Sequence, residues 1–235
     1  FDPACGSGNF LIIAYKELRK FEMDVLKRIQ ELELEKTGQF SKSFSVFQVS
    51  QFYGIEIDDF ACEVAILSLW LAEHQMNIVF KDEFGESPPS LPLRQGGSII
   101  CEISNLYAWE KLLDDCITNQ VYILVNPPYR GYSVKPKIPQ HSIEKDHVFH
   151  GVNSYKKLDY ISCWFYKAAK YIKQSKCLCR CAFVTTSSIV QGEQVGMLWP
   201  KLYDLDIEIC FAYTPFKWVN NARDVAGVSV VIIGT

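Results

Sequence analysis

The chain has 235 residues, of which 49% are hydrophobic, 14% aromatic and 22% charged, and its net charge is −3. These values are ordinary for a soluble globular domain and exclude a disordered or collagen-like chain. No apolar run reaches the roughly 18 residues that a membrane-spanning helix needs, so we expect a soluble, cytoplasmic protein with no membrane partner.

The chain opens Phe1-Asp2-Pro3, without an initiator Met or a targeting peptide, and we interpret it as a part of a longer protein. Its nine Cys form no C-x-x-C pair, so no zinc or thioredoxin-type redox site is expected, and a reducing cytosol fits best. Cys177, Cys179 and Cys181 alternate along a predicted strand, and we interpret them as buried thiols in preference to metal ligands.

The small net charge hides a strong asymmetry along the chain. Residues 130–181 carry eleven Lys or Arg against three Asp or Glu, a net charge of +8, so the rest of the chain carries −11. His141, His147 and His150 lie in the same stretch. Charge alone leaves two interpretations open, the binding surface for a polyanion or a solvated helix face followed by a loop.

Short apolar runs alternate with helical patterns, which is typical of an α/β fold with a mostly parallel sheet covered by helices on both faces. The periodicities predict helices over 9–35, 59–75, 109–117, 155–174 and 194–203, and strands over 51–57, 98–103, 121–125, 181–187, 207–213 and 226–234. Residues 82–97 hold three Pro and three Gly and predict a loop. A second predicted loop, 130–153, is longer than a plain connector, which is typical of functional loops.

The first candidate site is the loop that precedes the first predicted helix. Gly6 and Gly8 lack side chains, so backbone N–H groups and the helix N-terminus can approach a ligand closely. Asp2 stands at the carboxyl end of a strand, where open α/β sheets bind their ligands. An acid at that point favours a ligand with an ammonium group over one with a pyrophosphate.

The second candidate site is Gly54-Ile55-Glu56-Ile57-Asp58, at the end of the second strand. In nucleoside-binding α/β folds an acid there accepts hydrogen bonds from ribose hydroxyls, and the next apolar residue packs on the base. Glu56 and Ile57 have these positions. The alternative is a surface acid at a strand end.

The third candidate site is Asn126-Pro127-Pro128-Tyr129, directly after a fully apolar strand. The Asn126 amide oxygen and the Pro127 carbonyl are two acceptors that would hold an amino group, and accepting both of its hydrogens favours a nucleophilic geometry. Tyr129 supplies a ring on which an unstacked base can lie. The alternative is a Pro-Pro turn capped by Asn.

These three motifs, in this order, resemble the amino-methyltransferases that use S-adenosylmethionine. The segments F-V-T-T-S-S-I at 183–189, Q-G-E-Q-V at 191–195 and F-K-W at 216–218 are similar to the adenine-N6 DNA methyltransferase region of MmeI-type restriction-modification enzymes. In those enzymes nuclease, methyltransferase and target recognition share one polypeptide. The resemblance covers nearly the whole chain.

The resemblance implies a Rossmann-like class I S-adenosylmethionine-dependent methyltransferase, with a mostly parallel twisted sheet and final strands that form an antiparallel edge. It implies that the cofactor S-adenosylmethionine is bound by Asp2, Ala4, Cys5, Gly6, Gly8, Phe10, Glu56, Ile57 and Ser104. Asn126 and Pro127 would hold the N6 amine of a flipped adenine, while Tyr129 stacks on the base and Phe216 or Trp218 closes its other side. Double-stranded DNA would be the partner, contacted along its backbone by Arg130, Lys135 and Lys137 in the DNA-facing loop 130–153, and no metal is expected.

The sequence departs from the family pattern at three places. The segment 102–106 lacks the Gly-Asn or Gly-Asp pair expected to contact the cofactor's adenine, so Ser104 or Asn105 would substitute. Val125 and Ser187 stand where Gly and Asn are expected.

By the same resemblance, residues 1–235 are expected to be one methyltransferase core, a fragment without the preceding helix, the nuclease or the target-recognition region of the parent chain. The expected function is site-specific methylation of DNA adenine within a restriction-modification system. Two alternatives stay open: a methyltransferase of RNA adenine or protein glutamine, and a non-catalytic DNA-docking scaffold. The oligomeric state is not encoded in these motifs.

Overall fold

A computed structural model describes residues 1–39, 42–85, 88, 98–113, 120–129, 139–217 and 229–235. The chain divides into two compact units. The first comprises Asp2 and Ala4–Cys101, and the second comprises Phe1, Pro3 and Glu102–Thr235.

The first unit contains two long helices and a pair of parallel strands. Its elements are helix α1 (Asn9–Thr37), a 3₁₀ turn (Val49–Gln51), strand β1 (Tyr53–Glu56), helix α2 (Asp59–Phe84) and strand β2 (Ser98–Cys101). Strands β1 and β2 pair in parallel, with Glu56 opposite Cys101. Helix α1 lies between two left-handed glycines, Gly8 and Gly38, and α2 is capped by Asp58, whose carboxylate accepts the Ala61 N–H at 2.8 Å.

The core of the first unit is apolar and lies between its two helices and the strand pair. The buried side chains include Leu11, Tyr15, Met23, Val49, Phe52, Leu69, Met76 and Phe80. Charged groups are buried beside them, because Arg19 of α1 is 1% exposed and pairs with the buried Glu22 at 3.2 Å.

The second unit contains a four-stranded sheet with the strand order β3-β4-β6-β5. Its elements are helix α3 (Trp109–Leu113), strand β3 (Gln120–Val125), helix α4 (Pro139–Val148), helix α5 (Ser162–Gln174), strand β4 (Leu178–Thr186), a 3₁₀ turn (Ser187–Val190), helix α6 (Glu193–Tyr203), strand β5 (Phe211–Lys217) and strand β6 (Ser229–Gly234). Strand β3 pairs with β4 in parallel, whereas β6 pairs with both β4 and β5 in antiparallel fashion. The predicted α/β class with an antiparallel edge is therefore confirmed.

Several predicted boundaries are wrong. Helix α2 continues to Phe84, into the segment predicted as a loop, and α4 lies inside the predicted loop 130–153. Helix α5 begins at Ser162 and not at residue 155, because the Asp159 carbonyl accepts the Ser162 N–H and hydroxyl in a turn that precedes the helix. The predicted ends at 114–117 and 226–228 lie outside the described residues.

Strand β5 begins at Phe211, four residues later than the predicted start at 207. Pairing sets this boundary, since the Cys210 N–H donates to the Gly234 carbonyl and Phe211 then lies opposite Gly234. All seven residues of β5 are exposed, as expected for an edge strand. Pro215 is tolerated there because an edge strand has a side without ladder hydrogen bonds.

Over the part of the chain that the structure describes, no helix combines the length and the apolar character needed to cross a membrane. The same residues contain no group of three or more His, Cys, Asp or Glu side chains that could hold a metal ion. Of the three alternating thiols, Cys181 is buried, while Cys177 and Cys179 are half-buried.

Candidate functional site

The glycine loop is fixed to strand β1 by backbone pairing. Asp2 forms an isolated parallel bridge with Gly54, and the Cys5 N–H donates to the Ile55 carbonyl at 3.1 Å. Gly6 and Gly8 have φ values of +53° and +84°, in the left-handed region that favours glycine. The loop therefore turns sharply from the strand edge into α1.

Glu56 organises the adjoining strand end. One oxygen of its carboxylate accepts the Gly6 N–H at 2.9 Å, and the other accepts the N–H groups of Ile57 at 2.9 Å and Asp58 at 3.1 Å. A carboxylate offers about four acceptor directions, so three backbone donors leave room for one more. The predicted neighbours Gly6 and Glu56 are thus brought together, with an acceptor available for a hydroxyl.

The open surfaces at this corner fit a nucleoside with a charged tail, which is the form of S-adenosylmethionine. Apart from Gly6 itself and its neighbours Cys5 and Ser7, no described atom lies within 4 Å of the position that a Cβ of Gly6 would have. The Ile57 side chain is 62% exposed directly after Glu56 and offers an apolar surface for a base. Gly8, by contrast, packs closely, since a Cβ there would lie 3.1 Å from that of Ala65.

Asp2 is 1% exposed, and its carboxylate accepts the Ala4 N–H at 3.0 Å. Burial raises the pKa of this carboxyl to about 7. A cationic ligand group nearby would favour the ionised form. Cys5 is also buried, and burial raises the pKa of its thiol, so it is neutral. Phe10 is half-buried in the first turn of α1.

The structure places Ser104 in the second unit, in a structural role. Its carbonyl accepts hydrogen bonds from the Trp109 indole at 3.1 Å and from the Lys167 ammonium at 2.5 Å. Its hydroxyl lies 3.2 Å from the same indole nitrogen. The neighbouring Asn105 is fully buried and donates to Glu144 at 2.8 Å.

The Asn-Pro-Pro-Tyr tetrad begins where β3 ends. Val125, the last residue of β3, is 1% exposed, and Pro127 is buried, so the tetrad is held against the sheet. The Tyr129 hydroxyl donates to the Asn126 amide oxygen and lies 3.5 Å from the Val184 carbonyl of β4. Burial raises the pKa of Tyr129 to about 12, so its hydroxyl is a neutral donor.

Phe216 lies near the carboxyl end of β5 and is 40% exposed. Strand β5 runs parallel to β3, so Phe216 and the tetrad lie toward the same end of the sheet, at the carboxyl ends of these two strands. The two strands are three places apart in the strand order, or roughly 14 Å at the usual spacing of ~4.8 Å. Trp218, Arg130, Lys135 and Lys137 lie outside the described residues.

Not all of the positive charge in the basic stretch 130–181 is available to a polyanion. Lys167 donates to the carbonyls of Ser104 and Tyr107, and Lys145 donates to those of Lys156 and Leu158. These two ammonium groups therefore support the fold. No periodicity in the sequence distinguishes them from solvated lysines, because their acceptors are main-chain groups far along the chain.

A buried polar cluster surrounds Glu144 of α4, and the sequence did not predict it. Both Asn105 and the Tyr160 hydroxyl donate to its carboxylate, and His141 stacks on the Tyr160 ring with the ring centres 3.8 Å apart. These contacts join three segments that are separated in the sequence, so no local pattern predicts them. The alternation of apolar residues with Glu144 was the one signal that could have indicated a buried face of α4. The cluster fixes α4, which follows the tetrad in the chain.

Comparison with known proteins decides the family. The model of the family "MmeI, DNA-methyltransferase domain" matches residues 1–235. The chain belongs to this family. Over all 235 residues it is 48% identical to DNA methyltransferase A of Bacillus subtilis (strain 168), of which it spans 26% of the length.

Solved structures support the same assignment. The structure of the type IIL restriction-modification enzyme MmeI in complex with DNA matches the whole chain with 41% identity and a TM-score of 0.85, and the chain spans 30% of it. A Listeria monocytogenes protein described as a class I S-adenosylmethionine-dependent methyltransferase matches 99% of the chain, which covers 52% of that protein, with 13% identity and a TM-score of 0.50. The latter likeness concerns the fold. The fold is therefore that of class I methyltransferases, as the sequence predicted.

Proposed function

We propose that this chain is the catalytic core of a DNA methyltransferase that transfers a methyl group from S-adenosylmethionine to N6 of a flipped adenine. The observation that carries the proposal is the tetrad at the end of strand β3, where the Asn126 amide oxygen already accepts a hydrogen bond from a hydroxyl. Membership in the MmeI DNA-methyltransferase family supports DNA as the substrate.

The first unit would bind the cofactor, which when bound supplies a methyl group activated by a positively charged sulfur. Glu56 has an acceptor direction left for a ribose hydroxyl, and Ile57 can cover one face of the adenine. Gly6, Gly8 and Asp2 would line the methionine end, where a buried carboxylate suits a cationic ligand. Ala4, Cys5 and Phe10 shape this loop, and Ser104 is the least supported of the proposed cofactor contacts because its polar groups are bonded within the protein.

The tetrad would hold the acceptor. The Asn126 amide oxygen and the Pro127 carbonyl accept the two N–H groups of the amine, which draws the nitrogen lone pair out of conjugation and aims it at the methyl group. The Tyr129 ring would stack on the base and offset part of the few kcal/mol needed to extrude it from the duplex. Phe216 or Trp218 would close the other side of the base. Phe216 lies on β5, three places from β3 in the strand order, so the base and the tetrad would have to extend toward β5 for Phe216 to contact the base.

The longer relatives support a larger parent protein. The chain spans 26% of the Bacillus subtilis relative and 30% of the MmeI chain, whose structure is a complex with DNA. We infer that nuclease and target-recognition regions accompany this core within a restriction-modification system, and that Arg130, Lys135 and Lys137 contact the DNA backbone.

The test is transfer of a labelled methyl group to duplex DNA, RNA and protein by the full-length protein that the gene encodes. We expect label on adenine N6 of DNA. Label on RNA or on protein glutamine would contradict the substrate, and cofactor binding without transfer to any of them would favour a scaffold.

Two variants separate the assigned roles. Asn126→Ala removes one of the two amine acceptors and should abolish transfer while it leaves cofactor affinity nearly unchanged. Glu56→Ala should weaken cofactor binding by about 1.5–3 kcal/mol, the usual value of a lost charged hydrogen bond. Calorimetric titration with S-adenosylhomocysteine measures both affinities, and equal losses in the two variants would contradict the division of roles.

A further inference from the structure

One backbone carbonyl beside the tetrad lacks its regular partner in the sheet. Cys181 of β4 exchanges two hydrogen bonds with Thr235, so alternate residues from 181 onward face β6, and Val184 faces β3. In the parallel register of β3 and β4, the next donor to the Val184 carbonyl would be the N–H of residue 127. Residue 127 is a proline and has no N–H.

The Tyr129 hydroxyl lies between this carbonyl and the Asn126 side chain. It donates to the Asn126 amide oxygen, and the Val184 carbonyl is 3.5 Å away, at the long limit for a hydrogen bond. A hydroxyl has a single hydrogen to donate. The two acceptors therefore compete for it, and Asn126 holds the shorter contact.

Under the proposed function, on which this inference rests, the same Asn126 oxygen must accept a hydrogen from the target amine. A carbonyl oxygen has two lone pairs, and the Tyr129 hydroxyl occupies one of them. The hydroxyl and the amine therefore meet at the same oxygen, and the hydroxyl has a second acceptor to turn to, the Val184 carbonyl.

We propose that the Tyr129 hydroxyl is a latch on the tetrad, which satisfies the Asn126 amide oxygen while the pocket is empty and turns toward the Val184 carbonyl when the amine arrives. The second acceptor is the more distant one, so the exchange loses part of a hydrogen bond. Tyr129 thus has two separable functions, a ring that stacks on the base and a hydroxyl that opposes entry of the amine.

Tyr129→Phe isolates the hydroxyl, because it keeps the ring. The test compares its binding to two duplexes that carry the site methylated by the wild-type protein, found by sequencing methylated DNA. One duplex has adenine at the target position, and the other has purine, which lacks the exocyclic amine. Binding is measured on the full-length protein with S-adenosylhomocysteine present, so that no transfer occurs.

The hydroxyl competes with the amine alone, so Tyr129→Phe should bind the adenine duplex roughly two- to tenfold more tightly than the wild type, the range of one neutral hydrogen bond, with binding of the purine duplex unchanged. Tyr122→Phe is the matched control, because Tyr122 lies on β3 and its hydroxyl donates to Gln120 at the surface. It should change neither affinity.

An equal change for the two duplexes, no change, or weaker binding of the adenine duplex by Tyr129→Phe would overturn the latch. A Tyr129→Phe variant that binds both duplexes equally would show that Asn126 does not hold the amine, because no hydroxyl competes in that variant. That result contradicts the proposed function and removes the latch with it, so the two failures are distinguishable.

Discussion

Two carboxylates beside the glycine loop are placed in opposite environments. Glu56 accepts three backbone N–H groups at the strand end, whereas Asp2 accepts one and is 1% exposed. A buried carboxylate with few donors is costly to ionise, so burial raises the pKa of Asp2 to about 7. The charge of Asp2 is therefore available to a ligand at neutral pH but not in acid.

This placement predicts a pH-dependent cofactor affinity. In the free protein Asp2 is protonated below about pH 7, and a cationic cofactor group favours the ionised form, so binding must release a proton there. Affinity should rise by up to about tenfold per pH unit toward pH 7 and level off above it. Calorimetry with S-adenosylhomocysteine between about pH 5.5 and pH 7.5 measures this. Asp2→Asn should bind more weakly and without this slope, and a flat profile in the wild type would contradict the assignment.

At the scale of elements, the sequence predicts best those positions whose structure is set by adjacent residues in the chain. Gly6, Glu56 and Asn126 each follow or precede an apolar run, so local order alone puts them at strand ends. Helix α5 shows where this fails. The pattern at 155–161 is helical. However, the Asp159 carboxylate accepts a hydrogen bond from the Ser188 hydroxyl, and the Asp159 N–H donates to the Gln194 amide oxygen. These contacts with distant segments hold a turn in place of a helix.

Helix α1 carries a second feature that local pattern does not show. Arg19 is buried on it, and Glu22 both pairs with Arg19 and accepts the Val46 N–H at 2.5 Å and the Ser45 hydroxyl at 2.6 Å. Helical spacing predicts only that these residues share a face with apolar ones. The segment that covers them comes from more than twenty residues away, which composition cannot reveal.

Glu22→Ala should destabilise the protein by about 3–5 kcal/mol, because it leaves the Arg19 guanidinium buried without its counter-charge and removes the acceptor of three donors, the Ser45 hydroxyl and the N–H groups of Val46 and Phe47. Glu17→Ala is the matched control on the same helix. Glu17 forms an exposed pair with Lys20, and its loss should change stability by less than about 1 kcal/mol. Urea unfolding measures both variants, and similar midpoints would show that the buried pair contributes nothing.

For the molecule as a whole, the net charge says less about DNA binding than the end of the sheet at which each charge lies. Strands β3 and β4 are parallel, so the tetrad after β3 and Ser188 after β4 lie at the same edge. The turn that carries Lys156 and Lys157 is tied to that edge, since Asp159 binds Ser188. Lys173 and Lys176 precede β4 and lie at the opposite edge. These four lysines of the basic stretch therefore form two groups, of which Lys156 and Lys157 are on the tetrad side.

This division predicts which lysines contact DNA phosphates. Both Lys156 and Lys157 are exposed, and Lys157 has one long ion pair, 4.0 Å from Glu193, so their charges are available to DNA. Replacing both by Ala in the full-length protein should weaken binding to all duplexes alike and reduce the slope of log affinity against log salt by about 1.8, at ~0.9 per lost phosphate contact. Lys173→Ala with Lys176→Ala removes the same charge from the other edge and should leave the slope unchanged. Fluorescence anisotropy at several salt concentrations measures both pairs. Equal slopes for the two double variants would mean that DNA does not approach along the tetrad edge, because phosphate contacts act only where the backbone lies against the protein.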